Sequence, residues 1–210
     1  MRVLVACESS GVVREAFRRR GHNAWSCDLL PAEDVAAPYH GVFYHFQRDV
    51  REVLHFGWDL MIAHPTCTYL TNSGVRWLHT EARRWERLDE GAAFFRTLLD
   101  APIPYIAIEN PIPHKYAVER IGRSYDQCVQ PWMFGHPEQK ATCLWLKNLP
   151  KLVPTRVVRD EMLALPQRER SRIHYASPGP DRWKLRSRTF AGLAEAMADQ
   201  WTAHVQERAA

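Results

Sequence analysis

The chain has 210 residues, of which 46% are hydrophobic and 25% are charged, and its formal net charge is +4. This balance is typical of a globular protein and excludes a wholly disordered chain. The length suits one domain with a sizeable core, and the mild positive charge permits a polyanionic partner without requiring one.

The five cysteines are widely spaced, and none belongs to a Cys-x-x-Cys pair. Disulfides and a zinc site are therefore not expected, and the compartment is predicted to be reducing. The amino-terminal apolar run, residues 1–6, is too short for a signal peptide. No stretch approaches the roughly 18 apolar residues that cross a membrane. We expect a cytoplasmic protein with neither a membrane partner nor a metal.

The chain begins with a strand, a turn of small and acidic residues, a helix and a second strand, the order of a nucleotide-binding βαβ unit. Either Ser9 or Ser10 can cap the helix, and the second strand ends at Asp28. The turn lacks Gly-x-Gly-x-x-Gly, so a dinucleotide fingerprint is absent, but Asp28 has the position of an acid that binds ribose hydroxyls. An ordinary acid at a strand end is the alternative. The four segments are residues 2–7, 8–11, 12–20 and 22–27.

The middle of the chain alternates apolar runs typical of buried strands with one long helix. The helix carries one apolar stripe that steps by three and four residues, as expected for a core-facing surface. Its members are Trp85, Leu88, Ala92, Phe95 and Leu99. The predicted segments are a loop over residues 31–39, strands over 41–46, 60–63 and 102–108, and the helix over 81–100.

The last third predicts an antiparallel edge pair, a proline-rich stretch and a closing helix. The edge strands are expected near residues 127–132 and 141–146, and the amphipathic helix spans residues 190–205. Five prolines and clustered basic residues lie between positions 149 and 183, where little regular structure is expected. Strands that alternate with helices indicate an α/β protein.

Two reactive side chains follow neighbouring strands of this predicted sheet. Cys67 comes shortly after the strand over residues 60–63, and Glu109 follows the next strand. Parallel strands deliver their carboxyl ends to one edge, so both side chains are expected to face one cleft. A thiol that adds to an electron-poor ring, beside an acid that stabilises charge on a ring nitrogen, suits covalent catalysis. A packed structural thiol is the alternative.

A free thiol is only a few per cent ionised at pH 7, so a nucleophilic Cys67 needs help from its surroundings. His64 and Arg76 are close enough in sequence to be candidate helpers. A satisfied loop histidine is the alternative interpretation of His64.

Taken in order, these segments resemble the motifs of DNA (cytosine-5)-methyltransferases, particularly the short versions carried by phages and prophages. Pro65, Thr66 and Cys67 resemble the Pro-Cys nucleophile motif, and Glu109 with Asn110 resembles the Glu-Asn motif. The resemblance spans nearly the whole chain. It implies an α/β fold: a single Rossmann-like, class I S-adenosylmethionine-dependent methyltransferase domain over residues 1–210, with a mostly parallel sheet and an antiparallel edge hairpin.

The resemblance also implies roles for the site residues. Cys67 would add to C6 of a flipped cytosine while Glu109 binds N3 and the exocyclic amine, and C5 would take the methyl group of S-adenosyl-L-methionine. Substrate contacts would come from Asn110, Arg76 and Lys140. The implied cofactor contacts are Cys7, Glu8, Ser9, Ser10, Gly11, Asp28, Leu29, Asp49, His64, Pro65 and Thr189.

The chain departs from the family where the cofactor and the target are bound. The usual aromatic-Gly-Gly-rich loop is Cys-Glu-Ser-Ser-Gly here, and only residues 141–186 stand where the family has a large target-recognition domain. An irregular segment rich in proline and basic residues, 149–186, takes its place. The resemblance therefore implies weak or short sequence specificity on cytosine-containing DNA, duplex or single-stranded, in a bacterial or phage-infected cell, with a role in restriction and modification.

Several alternatives stay open. The same scaffold can modify a free cytosine nucleotide or transfer another one-carbon group, because the thiol addition is the same. A non-catalytic relative that binds nucleic acid or cofactor is a second alternative, and an α/β enzyme of another class with a merely buried Cys67 is a third. The sequence does not fix the oligomeric state.

Overall fold

The computed structural model describes residues 1–33, 44–180 and 182–209. Within these residues, seven strands form one sheet: β1 (Arg2–Ala6), β2 (Asn23–Asp28), β3 (His45–Gln47), β4 (Leu60–Ala63), β5 (Tyr105–Asn110), β6 (Gln127–Val129) and β7 (Thr142–Lys147). Their order is β3-β2-β1-β4-β5-β7-β6. The first five pair in parallel, whereas β7 runs antiparallel to both β5 and β6.

Helices cover both faces of the sheet. They are α1 (Val12–Arg18), α2 (Arg84–Leu99), α3 (Lys115–Ile121), α4 (Arg159–Ala164), α5 (Gln167–Arg170), α6 (Arg182–Ser187) and α7 (Ala191–Ala209). 3-10 helices span Val50–Glu52, Asn72–His79 and Pro131–Met133. Among the described residues, no helix is long and apolar enough to cross a membrane.

Alternation along the strands divides the core into two layers. In β1, Val3 and Val5 pack in the cluster that includes Phe17 of α1 and Trp201 of α7, whereas Leu4 packs on the opposite side. Successive strand side chains point to opposite faces, so a strand with both faces covered is apolar throughout. Each large buried side chain contributes about 1.5–3 kcal/mol through the water it excludes.

The structure confirms the predicted fold class, an α/β Rossmann-like fold with a mostly parallel sheet and an antiparallel edge pair. The predicted stripe of the long helix is buried at Leu88, Ala92 and Phe95. Part of the predicted loop over residues 31–39, and residues 41–43 of the strand predicted over 41–46, lie outside the described residues.

One strand boundary differs from the prediction in a way that matters for the site. The strand expected over residues 102–108 is Tyr105–Asn110 instead. Proline has no N–H for a sheet ladder, which is consistent with the strand starting after Pro104. At the other end, pairing with β7 continues to Glu109 and Asn110, so the predicted acid is held within the sheet.

The order of the strands creates the cleft. From β1 the chain builds outward through β2 and β3 on one side, and through β4 and β5 on the other. The direction in which successive strands are added to the sheet therefore reverses between β1 and β4. Open α/β sheets bind ligands at such a switch point, beside the carboxyl ends of the strands.

Candidate active site

The loop between β1 and α1 is shaped by an unusual backbone and a buried carboxyl group. Cys7 has φ 58°, in the left-handed region that non-glycine residues adopt at a cost of about 1–2 kcal/mol. Gly11, at φ 71°, is the N-cap of α1. Glu8 is buried and accepts hydrogen bonds from the backbone N–H groups of Val13 at 2.8 Å and Arg14 at 3.2 Å.

Glu8 therefore has the main capping role that the sequence assigned to Ser9 or Ser10. Ser10 Oγ accepts only a long 3.4 Å bond from the N–H of Val12 and donates to Glu8 at 3.2 Å. Burial raises the pKa of Glu8, although His64 and the two helix N–H groups oppose that rise. A carboxyl group at a helix N-terminus reaches two unpaired donors at once, whereas a hydroxyl reaches one.

A cleft of about 1010 Å³ opens at the carboxyl ends of β1, β2, β4 and β5. It is lined by most of the residues that were predicted to form the site. These are Cys7, Glu8, Ser9, Ser10, Asp28, His64, Pro65, Cys67, Glu109, Asn110, Lys140 and Thr189. The cofactor-type loop and the thiol with its acid thus share one space.

Glu109 is held in the cleft by His64. His64 Nδ1 lies 3.1 Å from Glu109 Oε2, and the two side chains are 10% and 11% exposed. An ionised carboxylate only accepts hydrogen bonds, so the shared proton is assigned to Nδ1. His64 Nε2 is buried without a hydrogen-bond partner among the described residues. His64, which was predicted as a possible helper of the Cys67 thiol, is therefore hydrogen-bonded to Glu109.

Charges around Glu109 and Cys67 act in opposite directions on the two groups. Burial works to raise the pKa of Glu109, but the His64 hydrogen bond and the charge of Lys140 outweigh it, and the pKa is lowered. Burial and the Glu109 charge raise the pKa of Cys67, against the charges of Arg186 and Lys140. The surroundings therefore favour an ionised Glu109 and a protonated Cys67.

Asn110 ties the two strand ends together. Its Nδ2 donates to the carbonyl oxygen of Pro65 at 3.0 Å. This bond fixes the loop that precedes Cys67 against the end of β5. The Asn110 Oδ1 atom is buried and has no partner among the described residues, so it is an acceptor still to be satisfied.

Four predicted site residues lie outside the lining of the cleft. Gly11 caps α1, and Leu29 is 71% exposed, whereas its neighbour Leu30 lines the cleft. Asp49 caps the short helix Val50–Glu52 and binds the Arg51 guanidinium through both oxygens.

The fourth is Arg76, whose guanidinium lies over the ring of Trp77 at 4.3 Å. The two charged residues of this set thus interact with close sequence neighbours: Asp49 with Arg51, and Arg76 with Trp77. Arg76 was predicted both to bind substrate and to help the thiol, but the cations whose charges lower the pKa of Cys67 are Arg186 and Lys140.

Sequence reasoning missed several residues that line the cleft. Most come from the proline-rich stretch, where basic residues were noted but no site was predicted. They include Trp77, Gln139, His174, Arg182, Trp183 and Arg186. The sequence feature that could have indicated these cleft residues is the cluster of arginines beside a tryptophan. Among the described residues, no group of three or more His, Cys, Asp or Glu is placed to hold a metal ion.

Comparisons with known proteins give distant structural likenesses only. No protein-family model matches the sequence, and no curated protein matches it. A solved E. coli structure, titled as a DNA modification methyltransferase encoded within a prophage, is 16% identical, with a TM-score of 0.47, over 80% of this chain and 56% of its own.

Two other solved structures are similar at the same level. The Entamoeba histolytica methyltransferase EhMeth is 14% identical, with a TM-score of 0.49, over 75% of this chain and 57% of its own. The S. pombe Dnmt2 methyltransferase is 17% identical, with a TM-score of 0.43, over 78% and 54%. The chain spans little more than half the length of the structures that it matches. An activity must therefore be argued from the cleft itself.

Proposed function

We propose that this protein transfers a methyl group from S-adenosyl-L-methionine to C5 of cytosine in DNA, through a covalent adduct of Cys67 at C6. One observation carries the proposal: Cys67 and Glu109, from the ends of adjacent parallel strands, line the same cleft as the β1–α1 loop. A thiol and a carboxyl group beside a nucleoside-type pocket suit addition to a pyrimidine ring better than acyl transfer.

The residues around the β1–α1 loop fit the proposed cofactor. The left-handed backbone at Cys7 and the small side chains of Ser9 and Ser10 leave room for a ligand at close range. Asp28, at the end of β2, lines the same space and can accept hydrogen bonds from ribose hydroxyls. When bound there, S-adenosyl-L-methionine supplies an electrophilic methyl group.

The protein residues carry out the remaining steps. The Cys67 thiol loses its proton to Glu109 and forms a bond to C6 of cytosine, and Glu109 passes that proton to N3 while it accepts a hydrogen bond from the exocyclic amine. The electron density gained by the ring makes C5 nucleophilic toward the methyl group. Loss of the C5 proton then returns the electron pair, breaks the bond to C6 and releases Cys67. Lys140 contributes positive charge beside both groups.

We propose that residues 1–210 act as one domain, with residues 149–186 in place of a target-recognition domain. Among the described residues of that segment, the regular elements are the short helices α4 and α5 and all of α6 except Ser187. Such a small surface supports weak or short sequence selectivity. Bisulfite sequencing of DNA from cells that express the protein measures it, and methylation restricted to sites of six or more base pairs would contradict this part of the proposal.

The mechanism is tested with DNA that contains 5-fluorocytosine, whose C5 fluorine cannot leave as a proton does. With labelled S-adenosyl-L-methionine, the wild-type protein should form a covalent complex that survives denaturation, and Cys67→Ser should form none. Cys128→Ser is the matched control, because this thiol lies outside the cleft lining. Measurable cofactor binding without a covalent complex in any variant would refute the proposal.

A further inference from the structure

Residues 168–188 hold an uneven share of the charge. They contain seven Lys and Arg against two Asp and Glu, a net charge of +5, whereas the whole chain carries +4. The rest of the chain is therefore close to neutral. We call residues 168–188 the basic strip; the structure describes all of it except position 181. Such an asymmetry is the electrostatic footprint of a polyanion-binding surface.

The basic strip reaches the reactive thiol. Arg182, Trp183 and Arg186 of α6 all line the cleft, whereas Lys184 and Leu185 do not. Positions spaced by three and four residues share one face of a helix, so α6 presents a face of arginine and tryptophan to the cleft. The charge of Arg186 also favours ionisation of Cys67, which places that cation within electrostatic range of the sulfur.

Two large aromatic rings in the cleft are left partly in solvent. Trp183 is 45% exposed, and Trp77, from the 3-10 helix that follows Cys67, is 38% exposed. Each has a cation near its ring: Arg76 at 4.3 Å from Trp77 and Lys184 at 5.7 Å from Trp183. Aromatic rings interleaved with cations are the composition that binds unpaired nucleic-acid strands, because bases stack on rings and phosphates meet the charges.

We propose that the basic strip and Trp77 together bind an unpaired nucleic-acid strand, and that Trp183 and Trp77 stack on bases next to the reacting cytosine. This surface rests on the function proposed above and specifies its substrate as single-stranded or locally unpaired DNA. Arg182 and Arg186 contact the phosphates.

The chemistry of α6 favours an unpaired strand over an intact duplex. A duplex is read by side chains such as Asn, Gln and Arg that reach base edges from an element seated in the major groove. α6 has only six residues and carries neither Asn nor Gln. In an intact duplex each base is already stacked on its neighbours, so a tryptophan ring finds no free base face to stack on. Charge alone holds a duplex, but charge with exposed rings favours an open strand.

Binding is measured without a methyl donor by fluorescence anisotropy of a labelled strand of about 12 nucleotides, the same strand annealed to its complement, and deoxycytidine 5′-monophosphate as competitor. We expect the single strand to bind at least about 10-fold more tightly than the duplex, and the mononucleotide to compete poorly. The logarithm of affinity should fall with the logarithm of salt with a slope of about −1.4, for the two phosphate contacts of Arg182 and Arg186 on a single strand.

Variants on one helix separate stacking from folding. Trp183→Ala should weaken strand binding by roughly 5- to 150-fold, the loss of one stacked base, and Trp183→Phe should restore most of it. Leu185→Ala is the matched control, because Leu185 is 52% exposed on the same helix and does not line the cleft. Equal losses in Trp183→Ala and Leu185→Ala, or duplex binding as tight as strand binding, would overturn the proposal.

The two proposals fail in different ways. Strand binding that depends on Trp183, without methyl transfer to any cytosine, refutes the methyltransferase activity and leaves the surface in place. Methyl transfer to the mononucleotide or to intact duplex that is unaffected by Trp183→Ala refutes the surface and leaves the activity in place.

Discussion

Replacing His64 with leucine should raise the pKa of Glu109. His64 Nδ1 bonds Glu109 Oε2 at 3.1 Å in a site that is about nine-tenths buried, and this bond opposes the effect of burial. A hydrogen bond to a charged group is worth about 1.5–3 kcal/mol, and one pKa unit corresponds to about 1.4 kcal/mol. The variant should therefore weaken the preference for the ionised carboxylate by about 1.5–3 kcal/mol, and the pKa of Glu109 should move upward. His64→Gln, whose amide can still donate, should restore most of the wild-type value.

Carbon-13 NMR of protein labelled at the glutamate carboxyl groups measures this pKa, with Glu109→Gln to assign the resonance. A second measurement is chemical unfolding as a function of pH. Because the folded pKa of Glu109 is depressed, its stabilising contribution is present above the unfolded pKa and is lost as pH falls through the folded pKa. The stability difference between wild type and His64→Leu should follow that course. His55→Leu, at an exposed position, is the control, and an unchanged Glu109 pKa in His64→Leu would refute the assigned pairing.

Two further predictions concern the thiol and the packing of the last helix. Glu109→Gln should speed the alkylation of Cys67 by iodoacetamide near pH 8, because the Glu109 charge raises the pKa of that thiol. An unchanged alkylation rate would show that the charge of Glu109 does not act on Cys67. Gly192→Ala should destabilise the protein by about 2 kcal/mol or more in urea unfolding, since its Cβ would lie 2.0 Å from Phe134 O. Gly179→Ala, with nothing within 4 Å of its Cβ, should change stability by less than about 0.5 kcal/mol.

The placement of Cys67 and Glu109 in one cleft was predictable because it depends on sheet geometry alone. Two short apolar runs with no room for a helix must be buried strands, and parallel neighbours end on the same edge. The exact residues at which the strands begin and end were harder to predict from the sequence. Pairing with β7 extends β5 as far as Asn110, and the identity of that partner strand is a property of the fold.

Other features depend on competition between local partners, which a residue pattern does not resolve. Asp49 was predicted at a cofactor position, but Arg51, two residues away, binds both of its oxygens. Glu8 lines the cleft, where a ligand contact was predicted, but the sequence did not indicate that its carboxyl group also caps the open end of α1. In each case an unpaired donor close in sequence binds the carboxylate at little cost in chain entropy.

The raised pKa of Cys67 has a consequence for the order of events in the proposed reaction. Glu109 is the neighbouring charge that disfavours the thiolate, whereas Lys140 and Arg186 favour it. A pyrimidine whose exocyclic amine donates a hydrogen bond to Glu109 spreads the carboxylate charge over that bond. The repulsion on the sulfur then weakens while the two cations remain. In the proposed reaction Cys67 is therefore a protonated, weakly reactive thiol before a base binds, and it becomes the nucleophile when a base is bound beside it.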